Sequence, residues 1–128
     1  MRVKVLTATK SLFMREAVKD AKRLEDILKS IDTVLRYVEG VPTVEDFVKD
    51  SMRYHAVIYN IMVMGEAANM LTFEFRDAHP LTPWKQITGM RNFLIHGYHH
   101  VEEELVWKVI TEELIPLRSQ IVEYMKEF

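Results

Sequence analysis

Leu24, Ile27, Leu28, Ile31, Val34, Leu35 and Val38 recur at intervals of three and four residues, which places them on one side of a helix. The pattern predicts an amphipathic helix from about Arg15 to Glu39, stopped by Gly40 and Pro42. Thr43 can cap a short turn after it, with Glu45 and Asp46 near its positive end. A second long helix is predicted from about Asp50 to Phe75, with Ala56, Tyr59, Val63, Ala67, Met70 and Leu71 on its inner stripe. Gly65, Ala67 and Ala68 are small enough to let a neighbouring helix come close. His79-Pro80-Leu81-Thr82-Pro83 breaks the pattern. Thr82 then reads as an N-cap and Pro83 as the first residue of a third helix that ends near Gly97. A fourth helix starts around Val101 with Glu102, Glu103 and Glu104 in its first turn, and carries the stripe Leu105, Val106, Val109 and Ile110. Pro116 should kink or split it, leaving a last helix through Leu117, Ile121, Val122 and Met125. No alternating strand pattern or internal repeat is present. The expected fold is an all-α, mainly antiparallel bundle of four to five helices.

Residues 1–13 differ in character from the rest of the chain, and Met14 could itself start a chain at the first helix. They are expected to form an N-terminal extension that adds little to the core of a single helical domain over 14–128. A chain of 128 residues, 48% hydrophobic and 28% charged, can bury a core without staples. It has no cysteine, which removes disulfides, thiolate metal sites and a thiol nucleophile from consideration. No apolar run approaches the roughly 20 residues of a membrane span, and the opening residues lack the long apolar stretch of a signal peptide. A cytoplasmic protein without membrane association is expected.

Net charge is −2, which argues against general coating of nucleic acid. The charge is unevenly spread, however. Met1 to Arg23 holds seven Lys/Arg against two Asp/Glu, so the remainder is acidic. From Trp84 to His100 there is no acidic residue, while Lys85, Arg91, His96, His99 and His100 all fall there. That segment can meet a phosphate locally.

Within it, Gly89-Met90-Arg91-Asn92-Phe93-Leu94-Ile95-His96-Gly97-Tyr98 concentrates polar groups in an apolar run. Arginine offers a planar fork of donors suited to phosphate oxygens. Histidine both takes and gives protons near neutral pH. RNA carries its own nucleophile, the 2′-hydroxyl, so cleavage by internal attack needs only a proton acceptor, a proton donor and positive charge at phosphorus. Arg91 and His96 supply the minimum for that reaction, with no metal and no cofactor. Five residues apart on an unbroken helix, they sit about 140° apart around the axis. Either the helix ends before His96, or a second copy of the chain completes the site; the two are compatible. The pair alone is weak evidence, since Arg91 bonding helix carbonyls and His96 capping the helix would explain it more readily.

The surrounding residues add a resemblance. Arg91-Asn92 followed by His96-Gly97-Tyr98 is similar to the R-x4-H-x-Y signature of the HepT-like family, in the HEPN superfamily of helical nucleases. Gly65-Glu66-Ala67-Ala68, Pro83-Trp84 and the helix of Trp107 resemble the same family in the same order, over about Ala17 to Glu123. The resemblance implies a metal-independent endoribonuclease, the toxin of a toxin–antitoxin pair, acting as a homodimer whose two motif segments line one cleft. Arg91 would hold the phosphate, His96 would act as general acid or base, and Asn92 would position substrate or the histidine. Tyr98 would receive AMP from a minimal nucleotidyltransferase antitoxin, placing a bulky anion at the cleft mouth. Glu66 would orient Arg91 or His96, or else face solvent. The alternative reading is a catalytically weak helical interaction partner of that nucleotidyltransferase, and a third is a nucleotide-binding HEPN domain without catalysis. His99 and His100 lie outside the signature. The methionines are expected to fill gaps in the core, and Trp84 and Trp107 to anchor the core or an interface.

Overall fold

The computed structural model describes residues 2–96 and 99–128, with side chains for 14–96 and 103–128. Among them the chain is helical without strands: α1 (Arg2–Tyr37), α2 (Val44–Lys49), α3 (Ser51–Asn69), α4 (Phe73–Ala78), α5 (Trp84–Ile95), α6 (His99–Lys108), a π-helical stretch (Val109–Glu113) and α7 (Leu114–Met125). The expected all-α bundle is the observed one. Gly40, with φ of 77°, turns the chain after α1 in a conformation that a side chain would strain. Thr43 caps α2 as expected, its hydroxyl accepting from Asp46 N at 3.2 Å. Asp50 does the same for α3, accepting from Arg53 N at 3.1 Å.

Leu24, Ile27, Ile31 and Val34 of α1 are fully buried, as their spacing predicts. They meet Val57, Ile61, Met64 and Ala68 of α3 and Leu114, Leu117 and Ile121 of α7 in one core. Two polar ties show that α1 runs antiparallel to both neighbours. The Asp20 carboxylate accepts from Thr72 N (2.8 Å) and Thr72 Oγ1 (2.7 Å), just beyond α3. Arg118 of α7 donates from Nε to Asp32 Oδ1 at 2.6 Å, and this hydrogen bond, with the carboxylate charge, raises the guanidinium further above its ordinary pKa.

The structure departs from the sequence-based expectations at five places. The first helix begins at Arg2 rather than near Arg15. The helix predicted from Asp50 to Phe75 is two, because Thr72 leaves helical geometry to cap α4, its hydroxyl accepting from Phe75 N at 3.1 Å. The buried side of α3 is Val57, Ile61, Met64, Gly65, Ala67 and Ala68, with Leu71 just beyond it; Ala67 and Leu71 are inner as expected, whereas Tyr59 is 65% and Met70 48% exposed. That helix has apolar residues on several sides, so periodicity only weakly marks its buried face. Thr82 is not an N-cap: it is buried, with Oγ1 2.6 Å from both Gln120 Oε1 and Tyr124 Oη of α7. Finally, the methionines divide: Met64 is buried and Met62, Met90 and Met125 pack against the core as expected, whereas Met14, Met52 and Met70 face solvent. Pro116 does interrupt the last long arm, but through a wider turn rather than a break: Leu114 N–H reaches Val109 O, five residues back. The π turn places the proline in the first turn of α7, where its missing N–H costs least. Trp84 is buried with its indole N–H on His79 O at 3.0 Å, and Trp107 stacks on Phe47 at 5.3 Å.

Candidate active site

The packing of α5 on α3 sets the site. Trp84, Ile87, Arg91 and Leu94 recur at three and four residues, so Arg91 occupies the α3-facing stripe of an otherwise apolar series. Opposite it stands Gly65. A Cβ built there would lie 2.9 Å from Arg91 Cβ and 3.1 Å from Ile87 O, so only glycine admits this approach. One turn of contact thereby fixes where the guanidinium emerges.

Arg91 Nε reaches Glu66 Oε2 at 2.7 Å. The N–H is not aimed at that oxygen, which accepts no aligned hydrogen bond, so the pairing is an ion pair rather than a directed bond. Arg91 Nη1 also donates to Asn92 Oδ1 at 3.2 Å. Of the expected site residues, the structure thus brings Arg91, Asn92 and Glu66 together. The side chains of Glu66 and Arg91 are 46% and 36% exposed, although the Glu66 Oε2 that faces Arg91 is itself buried.

His96 is placed differently. α5 ends at Ile95, yet His96 keeps right-handed helical dihedrals, φ −82° and ψ −7°. Its direction is therefore the one a continued helix would give, about 140° from Arg91, on the face away from α3. The helix stops where the sequence suggests, but stopping does not swing His96 toward Arg91. The imidazole is exposed and has no hydrogen-bond partner among the described residues. Tyr98 lies outside the described residues, as do the side chains of His99 and His100. No cluster of three or more His, Asp or Glu able to hold a metal occurs among the described residues. No helix among them is long and apolar enough to cross a membrane.

A cavity of about 260 Å³ lies between α5 and the start of α7, floored by Met64, Ile87, Met90 and Leu117. Its lining contains Glu112 and Glu113 and no basic residue, so it repels rather than binds a phosphate.

The family description "Ribonuclease HepT-like" matches residues 27–124. The chain is 38% identical over 104 residues to "Putative RNase TTE0752" of Caldanaerobacter subterraneus, covering 81% of this chain and 92% of that protein. It is 31% identical over 103 residues to "Probable ribonuclease HepT" of Thermococcus cleftensis, covering 80% of this chain and 93% of that protein. No solved structure shows significant similarity to the chain. With most of its length matched, and the arginine and histidine of the signature on α5 and at its end, the chain belongs to the HepT-like ribonuclease family.

Proposed function

We propose that the protein is a metal-independent endoribonuclease, the toxin of a toxin–antitoxin pair, whose site is completed by a second copy of the chain. The observation that carries this reading is the divergence of Arg91 and His96 around α5, with each group otherwise equipped for the reaction. Arg91 is fixed by Gly65 packing and Glu66, and its side chain remains partly exposed. His96 is exposed and without a partner among the described residues. A two-fold axis beside α5 would bring both motif segments to one cleft.

In that cleft one His96 imidazole takes the proton of the 2′-hydroxyl as its oxygen attacks phosphorus. The bond from phosphorus to the 5′-oxygen breaks, and the partner's His96 gives that oxygen its proton. Arg91 neutralises the charge that builds on the phosphorane oxygens. Products are a 2′,3′-cyclic phosphate and a 5′-hydroxyl. Asn92 steadies the guanidinium or the substrate. Transfer of AMP to Tyr98 by a minimal nucleotidyltransferase would set an anion beside the cleft and repel RNA, silencing the enzyme.

The test is incubation of purified wild type and His96→Ala with total RNA in excess EDTA. Cleavage by wild type alone, with cyclic phosphate ends, is the expected result. Intact RNA with wild type, once the mass of Tyr98 shows no AMP, would overturn the enzyme reading in favour of an interaction partner.

A further inference from the structure

The bundle does not account for the start of α1. Asp20 is the first buried residue of its described part, and ahead of it Met14, Arg15, Ala17, Val18 and Lys19 are exposed, with Glu16 only partly covered. Exposure over more than a full turn means that the helix stands clear of the bundle there. The helix nevertheless continues back to Arg2, so α1 runs on past its contact with Thr72 as an arm. An isolated helix of this length is marginal in water, which invites a ligand that stabilises it.

Charge indicates which ligand. Residues 1–23 carry seven Lys/Arg and two Asp/Glu, whereas the remaining chain carries ten and seventeen. A bundle with net charge −7 repels RNA, and the +5 stretch is the strongest attractive region in the sequence. Arg15 and Lys19, four residues apart, share one side of the helix, and Lys22 continues that line. Lys22 and Arg23 already face Asp26, at 3.2 and 3.5 Å. Arg15 and Lys19 have no ion pair among the described residues. The arm also roots close to the site. Asp20 is tied to Thr72 just beyond the end of α3, the same helix whose Glu66 faces Arg91.

We propose that the projecting start of α1 is an RNA-backbone-binding arm, with Arg15 and Lys19 contacting phosphates of the strand that enters the Arg91 site. The proposal rests on the ribonuclease reading and names how an acidic bundle captures an anionic substrate. The arm confers attraction without sequence choice, because phosphate contacts carry no base information.

The experiment compares wild type, Arg15→Gln/Lys19→Gln and a control, Lys49→Gln/Lys108→Gln, which removes the same charge from sites elsewhere. Binding is read by anisotropy of a labelled 2′-O-methyl 20-mer over a salt series, and cleavage by KM and kcat on the matching RNA. Loss of two phosphate contacts lowers the slope of log affinity against log salt by about 1.4, with affinity down on the order of tenfold at low salt. KM should rise while kcat holds, and the control should shift far less. Unchanged slope and KM in an arm variant whose wild type cleaves RNA would overturn the arm and leave the enzyme standing. An altered oligomeric mass with unchanged RNA affinity would overturn it too, making the arm a self-association element. If the wild type neither binds nor cleaves RNA, the ribonuclease reading falls and the arm with it.

Discussion

Substituting Gly65 by alanine sets two effects of known sign against each other. Both Gly65 and Gly89 lie inside helices, α3 and α5, where alanine is favoured over glycine by about 1 kcal/mol. At Gly89 a Cβ meets nothing within 4 Å, so Gly89→Ala should collect that gain in full. At Gly65 the same atom lies 2.9 Å from Arg91 Cβ and 3.1 Å from a backbone oxygen, Ile87 O. Neither neighbour is the yielding tip of a long side chain, so α5 must move outward by several tenths of an ångström. Overpacking of this kind costs about 1–3 kcal/mol, which leaves Gly65→Ala between roughly neutral and 2 kcal/mol destabilised. The two variants should therefore differ by about 1–3 kcal/mol in urea unfolding followed by the helical circular dichroism signal, at equal protein concentration. Activity should separate them further. Moving α5 moves Arg91 relative to Glu66, and a misplacement approaching 1 Å costs cleavage up to about 100-fold, while Gly89→Ala keeps the Gly65 contact intact. Gly65→Ala as stable and as active as Gly89→Ala would refute the argument that this glycine sets the guanidinium.

Other outcomes rest on single contacts. Glu66→Gln should lower cleavage about tenfold or more by loosening Arg91, yet change stability by less than about 1 kcal/mol because the pair is half exposed; stability retained while activity is lost is the signature to look for in a kinetic and melting comparison. Asp20→Ala leaves the Thr72 N–H and hydroxyl without their acceptor and should cost about 1–3 kcal/mol in chemical unfolding. Thr82→Val removes the partner of Gln120 Oε1 and Tyr124 Oη at a half-buried contact and should cost about 1 kcal/mol, read as a drop in melting temperature of several degrees.

Much of this architecture is legible from spacing alone. The α1 stripe, the Thr43 cap, the Gly40 stop and the interruption at Pro116 all come from local rules that the structure obeys. The rest is decided by partners distant in sequence. Thr72 caps α4 because Asp20, 52 residues away, holds it, and nothing around Thr72 announces that. Thr82 looks like a helix cap but spends its hydroxyl on α7. The buried face of α3 differs in part from the expected one because a helix with apolar residues on several sides carries only a weak directional signal. At the site, an arginine within the Trp84, Ile87, Leu94 series and a glycine-glutamate pair in α3 are visible in sequence. Their meeting across Gly65 needs the packing of α5 on α3.

The central claim is that one cleft uses His96 from two copies of the chain. Differently tagged wild-type and His96→Ala chains, co-expressed and isolated as a mixed dimer by sequential affinity steps, test it directly. A shared cleft loses either its acid or its base with one histidine, so RNA cleavage by the mixed dimer should fall at least about 100-fold below wild type. A mixed dimer that retains half of wild-type activity, or a wild type that is active as a monomer, would show that each chain carries its own complete site and would contradict the account.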